Sequence, residues 1–345
     1  MKGKMKYIQG GAEFQLHIYE KEIPAPKAGQ VLVRVCFCGV CGSDLSLLRK
    51  RQEIGSLGHE VSAIVEETGE GVTDLKKGDL VVVEDLGRCG KCSNCKNDNS
   101  YHCSDMIGWN GQSGMGQYLC VERSLINPVA GLTPFEASLT EPLVVSINAW
   151  KKAQLPPMGV LVVYGMGAIA ILCAQVAVFL GADKVICVGN REGSRQNTVR
   201  EKELKRKGIA VTYRSRNSFK EELKELTGRK AIDAFIVTTP PSTLPEVIDL
   251  CDYGTRVVPI GLAFDQNGKA ELDIDKMIMN KIELIPFISE PASGFPLAVD
   301  MIRKKVVEPD KIITHRIPFE RIDQLKKLYM KDEGVIKATI DFTQK

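Results

Sequence analysis

The chain of 345 residues is 44% hydrophobic and 26% charged, with a formal net charge of +3. That length exceeds one ordinary core and predicts two domains, while the small charge gives no general attraction for nucleic acid or an anionic membrane surface. Residues 1–10 lack the apolar core of a signal peptide and no run of about twenty apolar residues occurs, so a cytoplasmic protein with no membrane partner is expected.

Residues 1–35 read as short strands and turns. QVLVRVC at 30–36 alternates and is rich in valine, which predicts a strand. Cys41 then falls just past its end, on a loop. The stretch GVCGSDLSLLRKRQEIGSLGHE, residues 39–60, joins Cys41 to His59, one of four histidines, and to Glu60. Ser43 and Asp44 follow the cysteine. Thiolate, imidazole and carboxylate are ligand types that zinc prefers, and a catalytic zinc keeps a fourth position for water or substrate. For either residue alone, the competing reading is a buried cysteine or a satisfied core histidine. Strands are predicted at 61–66 and 80–84, with turns at 69–71 and 76–79. Many short strands and frequent glycine point to a small barrel or folded sheet over the first half.

Cys89, Cys92, Cys95 and Cys103 follow in the spacing C-x2-C-x2-C-x7-C. Four thiolates so placed can close a tetrahedral zinc site with no open position, which suits structure and not chemistry. An iron–sulfur cluster is the rival occupant. The surrounding polar residues make 87–105 an exposed lobe, with His102 on its surface. Trp109 and Asn110 are candidate pocket residues, Trp109 equally a core residue. Glu141 precedes a helical pattern at 144–152, where the helix dipole favours an acid.

The character then changes. GVLVVY at 159–164 is the continuous apolar strand of a parallel sheet. Gly165-Met166-Gly167-Ala168-Ile169-Ala170 leads into an apolar helix reaching residue 180, and a second strand runs over 184–188. Strand, glycine turn, helix and strand form the first βαβ unit of a dinucleotide fold, in which Gly165, Gly167, Ala168 and Ile169 present main-chain N–H groups to a pyrophosphate. Helices are predicted at 197–208 and 218–227, and strands at 231–237, 256–260 and 281–286. Thr238, just past one of these strands, joins the cofactor-binding set. A helix at 296–305 and a terminal strand at 338–342, returning to the first domain, complete the chain.

A site for NAD usually ends its second strand with an acid on the ribose 2′-hydroxyl. Here that position is Gly189, and Asn190 and Arg191 follow, with Arg195 nearby. A guanidinium can pair with a 2′-phosphate, so NADP is preferred over NAD as cofactor. Glu192 is the residue that would reverse this if the loop carried it to the ribose.

The order G-V-C-G-S-D at 39–44, G-H-E at 58–60, G-D-L-V at 78–81, four cysteines at 89–103, E-P-L at 141–143 and the glycine turn at 165–170 resembles the zinc-containing medium-chain dehydrogenases, which include alcohol, sorbitol and threonine dehydrogenases. The resemblance covers nearly the whole chain. It implies an α/β plus β architecture: a GroES-like β-rich catalytic domain from 1–153 and 288–345, with a Rossmann cofactor-binding domain inserted at 154–287. It implies that Cys41 and His59 hold a catalytic zinc, that Glu141 supplies a third ligand as in the sorbitol and threonine branches, and that Glu60 can also approach the metal. Asp44 would orient His59, and Cys89, Cys92, Cys95 and Cys103 would hold a structural zinc. A homodimer or homotetramer is the expected assembly. The substrates implied are polyols, sugar alcohols or hydroxy-amino compounds, exchanged with their ketones. Ser43 would take the hydroxyl proton and pass it on through Ser46 or the cofactor ribose. Two departures stand out. The interval between Cys41 and His59 is shorter than usual, and Ser46 stands where some alcohol dehydrogenases carry a relay histidine. The rivals are a zinc-free reductase on the same scaffold and a catalytically idle protein that binds NADPH.

Overall fold

The computed structural model describes residues 2–50, 53–54, 56–331 and 334–344. The chain divides into two compact units: Met1–Val144 with Glu290–Met330 and Lys337–Lys345, and Val145–Ser289 with Lys331–Ile336.

The first unit is built on the strand Gln30–Gly39, which runs three residues beyond the expected end. Its burial is almost continuous because it has neighbours along both edges. One edge pairs with Glu60–Thr68 along most of its length. The other edge is shared: Tyr118–Glu122 takes residues 30–34, and Lys337–Asp341 takes residues 37–39. The last strand of the chain thus returns to the first, as expected. The full sheet has seven strands, continuing through Leu80–Val83 to Ile126–Pro128 on one side and through Ile313–Pro318 on the other. Its inner faces enclose a core that includes Val33, Val35, Val61, Ala63, Val81, Leu119 and Ile340. A separate antiparallel sheet pairs Lys4–Gly11 with Gln15–Glu22.

Two features of this unit differ from expectation. Cys41 lies outside regular structure just past the strand, as expected, but an unanticipated helix, Gly42–Lys50, follows it, opened by the Leu45 N–H donating to the Cys41 carbonyl. Its apolar signal is one fully buried residue, Leu48, and partly buried Leu45 and Leu47, too few to show a period. The helix expected at 144–152 begins at Thr140 and runs to Ala153. Pro142 is tolerated in its first turn because its missing N–H would have no partner there. Glu141 therefore lies inside the helix, in the first turn.

The second unit holds a six-stranded, all-parallel sheet. In spatial order its strands are Ala210–Tyr213, Lys184–Gly189, Val160–Tyr164, Ala234–Val237, Arg256–Pro259 and Glu283–Leu284. In chain order that is 3-2-1-4-5-6, the doubly wound arrangement whose ligands bind where the order reverses. The fold is the Rossmann type anticipated from the βαβ unit. Ala210–Tyr213 was not anticipated, because the helix before it was expected to run to 208. It is Arg195–Arg206, and the Ile209 N–H turns back to the Leu204 carbonyl, freeing four residues for a strand.

Gly189 closes the second strand where there is no room for a side chain. A Cβ there would lie 2.5 Å from Met166 Sδ and 2.5 Å from the Tyr213 ring. Gly189→Ala should therefore destabilise this unit by about 1–3 kcal/mol through overpacking, read as a lowered denaturation midpoint with an unchanged denaturant slope.

Candidate functional site

Asp44 organises the first constellation. It sits in the first turn of Gly42–Lys50 and is buried. Its Oδ2 accepts from the Cys41 N–H at 3.0 Å and its Oδ1 from the Gly58 N–H at 3.0 Å. The carboxylate thus ties the main chain at Cys41 to the main chain just before His59. Asp44 was expected to orient His59; its hydrogen bonds go instead to main-chain N–H groups on either side of the cluster.

The ligand atoms of Cys41, His59 and Glu60 all lie within 4.8 Å of one another. Sulfur, nitrogen and oxygen donors about 2.0–2.3 Å from one zinc would stand slightly closer than that limit, so the donor set fits the metal. Glu141 is buried but stands outside that group of three. It remains within electrostatic reach: burial and then the Glu60 carboxylate push its pKa well above the ordinary carboxylate value, while His59 opposes them. Burial disfavours a charge on His59, but the Cys41 thiolate, Asp44 and Glu141 outweigh it and hold the imidazolium well above its usual 6.5. A group of anions that draws a proton onto its imidazole suits a cation, and a bound metal would displace that proton.

Lys337 was not anticipated as part of the site. Its Nζ lies 2.5 Å from Glu60 Oε2, with both side chains buried. It also donates to the Val40 carbonyl at 3.3 Å. Burial alone would lower its pKa, but Glu60 and Cys41 overcome this and raise it. A lysine at the edge of a short apolar strand carries no sequence signal of such a partner.

Beside the cluster is a cavity of about 270 Å³ lined by Ser43, Ser56, His59, Asp85 and Trp109, among others. Ser43 thus faces the same space as a predicted ligand. Trp109 serves both roles considered for it: it packs in the core, donates its indole N–H to the Glu84 carbonyl at 2.8 Å, and lines the cavity. Asn110 is an exposed turn residue at φ 52° and does not line it. Asp85 and Ser56 were not singled out from sequence, where an acid after a strand and a loop serine are both commonplace.

The four-cysteine lobe has its ligand atoms within 4.8 Å of one another. Cys89 and Cys95 sulfurs stand 4.0 Å apart, as do those of Cys92 and Cys103. Tetrahedral corners about 2.3 Å from zinc lie roughly 3.8 Å apart. That leaves room for a single ion and not for a cluster with its own sulfides. All eleven cysteines are free thiols. Main-chain N–H groups already point at the sulfurs: Cys92 N donates to Cys89 at 3.3 Å, Cys89 N to Cys103 at 3.4 Å and Cys95 N to Cys92 at 3.5 Å. The Cys95 N–H is the main reason the Cys92 thiol falls to about 6. His102 stays outside the donor set.

The nucleotide residues belong to the second unit. Gly165, at φ 133°, follows the first strand, and Thr238 follows the fourth, which flank the point where the strand order reverses. A Cβ on Gly165 would lie 2.1 Å from Thr238 Oγ1, so only glycine fits. Gly167 caps the helix Ala168–Phe179 without a side-chain bond, and space for a Cβ there is open. The N–H groups of Ala168 and Ile169 have no acceptor within the helix, which makes an anion cradle. Asn190 and Arg191 are exposed beyond Gly189. Glu192 is engaged by Arg216, whose Nε donates to Oε2 at 2.9 Å.

Residues 27–131 match the alcohol dehydrogenase GroES-like domain family, and residues 168–304 match the zinc-binding dehydrogenase family. The sorbitol dehydrogenase of Halalkalibacterium halodurans is 30% identical over 97% of this chain and 98% of that protein. The L-galactonate-5-dehydrogenase of Escherichia coli K12 is 27% identical over 94% of this chain and 95% of that protein. Among solved structures, the short-chain alcohol dehydrogenase RspB of E. coli CFT073, complexed with NADH, superposes with a TM-score of 0.86 at 25% identity over 98% and 99% of the two chains.

Two outcomes follow from the geometry of the sulfur and carboxylate sites. Cys92→Ser should halve a zinc content of two per chain, measured by elemental analysis, and lower the unfolding temperature of the lobe's unit. Asp44→Ala removes the buried carboxylate and leaves the Cys41 and Gly58 N–H groups without their acceptor, and should weaken zinc binding at Cys41 and His59 by about 10–100-fold in a competitive chelator titration, leaving binding at the lobe in place.

Proposed function

Since the chain belongs to the zinc-containing medium-chain polyol dehydrogenase family, we propose that it oxidises a secondary alcohol of the polyol, sugar-alcohol or amino-alcohol type to the ketone, reversibly, with zinc and NADP. It is an alcohol or polyol dehydrogenase by family. The observation that carries the reading is the grouping of Cys41, His59 and Glu60 donors beside the cavity that Ser43 lines.

When bound, zinc would supply a Lewis acid for the substrate oxygen and the nicotinamide a hydride acceptor. Cys41 and His59 would hold the metal. Glu60 is the carboxylate grouped with them, although Lys337 also pairs with it, and Glu141, buried within electrostatic reach, would be the alternative third ligand. Ser43 would accept the proton of the substrate hydroxyl as the hydride departs. Ser46 lies one turn further along the same helix and would pass that proton outward. The alcohol thus loses one hydride to NADP and one proton to solvent.

Three observations support NADP. Gly189 removes the acid that would repel a 2′-phosphate, Arg191 is exposed beside it, and Glu192 is held by Arg216. Gly165, Gly167, Ala168, Ile169 and Thr238 would hold the pyrophosphate and nicotinamide half, and Asn190 would contact the adenosine ribose. Eleven free cysteines fit a reducing cytoplasm, and among the described residues no helix is long and apolar enough to cross a membrane. Exposed Ile274, Ile278, Met279 and Ile288 adjoin in sequence the edge strand Glu283–Leu284 of the parallel sheet, a surface suited to pairing with a second copy.

Cys41→Ala should abolish turnover of a secondary alcohol panel while the far-ultraviolet spectrum is retained. Full activity in the zinc-free variant would end the proposal. Arg191→Ala should raise the KM for NADP by about 10–100-fold, the scale of a lost charge-assisted bond, and leave that for NAD unchanged. An equal effect on both would overturn the NADP preference.

A further inference from the structure

The cavity beside the metal ligands has few groups able to meet a substrate. Asp44 lines it but has both oxygens committed to main-chain N–H groups. Gln112 lines it too, but its amide is engaged at both ends: Nε2 donates to the Trp109 and Cys120 carbonyls, and Oε1 accepts from the Cys120 N–H. Ser43 and Ser56 offer hydroxyls. Asp85 remains. Its Oδ1 accepts from the Leu86 N–H at 2.9 Å, a bond within its own loop, and among the described residues no lysine or arginine pairs with it. None of the described residues lining the cavity is a lysine or arginine either. Burial raises the pKa of Asp85, and His59, which lines the same cavity, opposes that and favours the carboxylate.

We propose that Asp85 is a specificity-determining residue that restricts this dehydrogenase to alcohols without an acidic group. The proposal rests on the dehydrogenase reading of the site. A carboxylate in a confined cavity accepts hydrogen bonds from the hydroxyls of a neutral polyol. It repels a carboxylate or phosphate held a few ångströms away, and solvent screens that repulsion less than at the surface. Discrimination by an unfavourable charge requires no extra contact with the preferred substrate. Sugar acids and sugar phosphates, which need a cation in the pocket, meet the opposite charge arrangement here.

The test compares sorbitol with gluconate and xylitol with xylonate, on the zinc-loaded wild-type protein and on Asp85→Asn. Asparagine keeps the volume and can still accept from the Leu86 N–H, and zinc content checks that the site survives. Both kcat/KM and equilibrium binding with NADPH present are read, the latter from Trp109 fluorescence in a Trp150→Phe background, since Trp109 lines the cavity. The wild type should favour each neutral polyol by at least about tenfold. Asp85→Asn should narrow that gap by about tenfold, mainly because the acid binds better. A wild type that favours the acid, or a gap unchanged in Asp85→Asn, overturns the proposal. Turnover of both substrate types with no gap sinks it while leaving the dehydrogenase reading intact. The expected binding pattern without turnover of any alcohol upholds the charge selection and removes the dehydrogenase reading instead.

Discussion

The pair of bonds accepted by the buried Asp44 carboxylate is the constraint on which the first unit's chemistry depends. Cys41 follows one strand and His59 precedes the next, and the helix Gly42–Lys50 lies between them in the chain. The pairing of Gly39 with Glu60 brings the two stretches side by side, and a further tie fixes them beyond the end of the ladder. Asp44 supplies that tie because it takes one N–H from each stretch. Charge-assisted bonds to main chain resist displacement more than bonds between flexible side chains. Gly39 and Glu60 are opposed residues of the adjoining strands, so the sheet itself brings Glu60 to the group. A Cβ at Gly39 would lie 1.9 Å from Glu60 Oε2, so the close approach of that carboxylate needs a glycine opposite it.

The charge balance around this cluster is as telling as its distances. Cys41, Asp44, Glu60, Asp85 and Glu141 are five potential anions in one partly desolvated region. Lys337 answers one of them directly. Cys41, Asp44 and Glu141 raise the pKa of His59, and Glu60 and Asp85 raise that of Glu141. Such a collection is costly to bury unless a cation is supplied. The same logic separates the two sulfur sites. In the lobe, four sulfurs receive main-chain N–H groups and close a tetrahedron, leaving no position for a substrate. At Cys41 the donors are mixed, and a cavity adjoins them.

The second unit positions its ligand by main chain more than by side chain. Gly165 and Thr238 meet where the strand order reverses, and the helix from Ala168 begins with unsatisfied N–H groups. A strand further on, Gly189 ends the second strand and the exposed Asn190 and Arg191 follow it. There the third strand, Ala210–Tyr213, contributes by contact: its tyrosine ring is what excludes any side chain at Gly189. Further along the chain, Arg216 holds Glu192, the acid nearest Gly189 in that loop.

Local pattern alone identified much of this protein. The cysteine spacing, the glycine turn between an apolar strand and an apolar helix, and the alternation of strands and helices after it are short-range signals. Each depends on geometry that a few consecutive residues determine. The return of the terminal strand to the first domain was anticipated too, although the run 338–342 does not by itself say where it pairs. Only the tertiary structure decided the rest. The helix after Cys41 is too weakly amphipathic to announce itself. The pairing of Lys337 with Glu60 and the presence of Asp85 and Ser56 beside His59 join residues far apart in the chain. Ion pairs and cavity walls are made by whichever residues the sheet brings together, and an isolated lysine, aspartate or serine has no periodicity by which to be recognised.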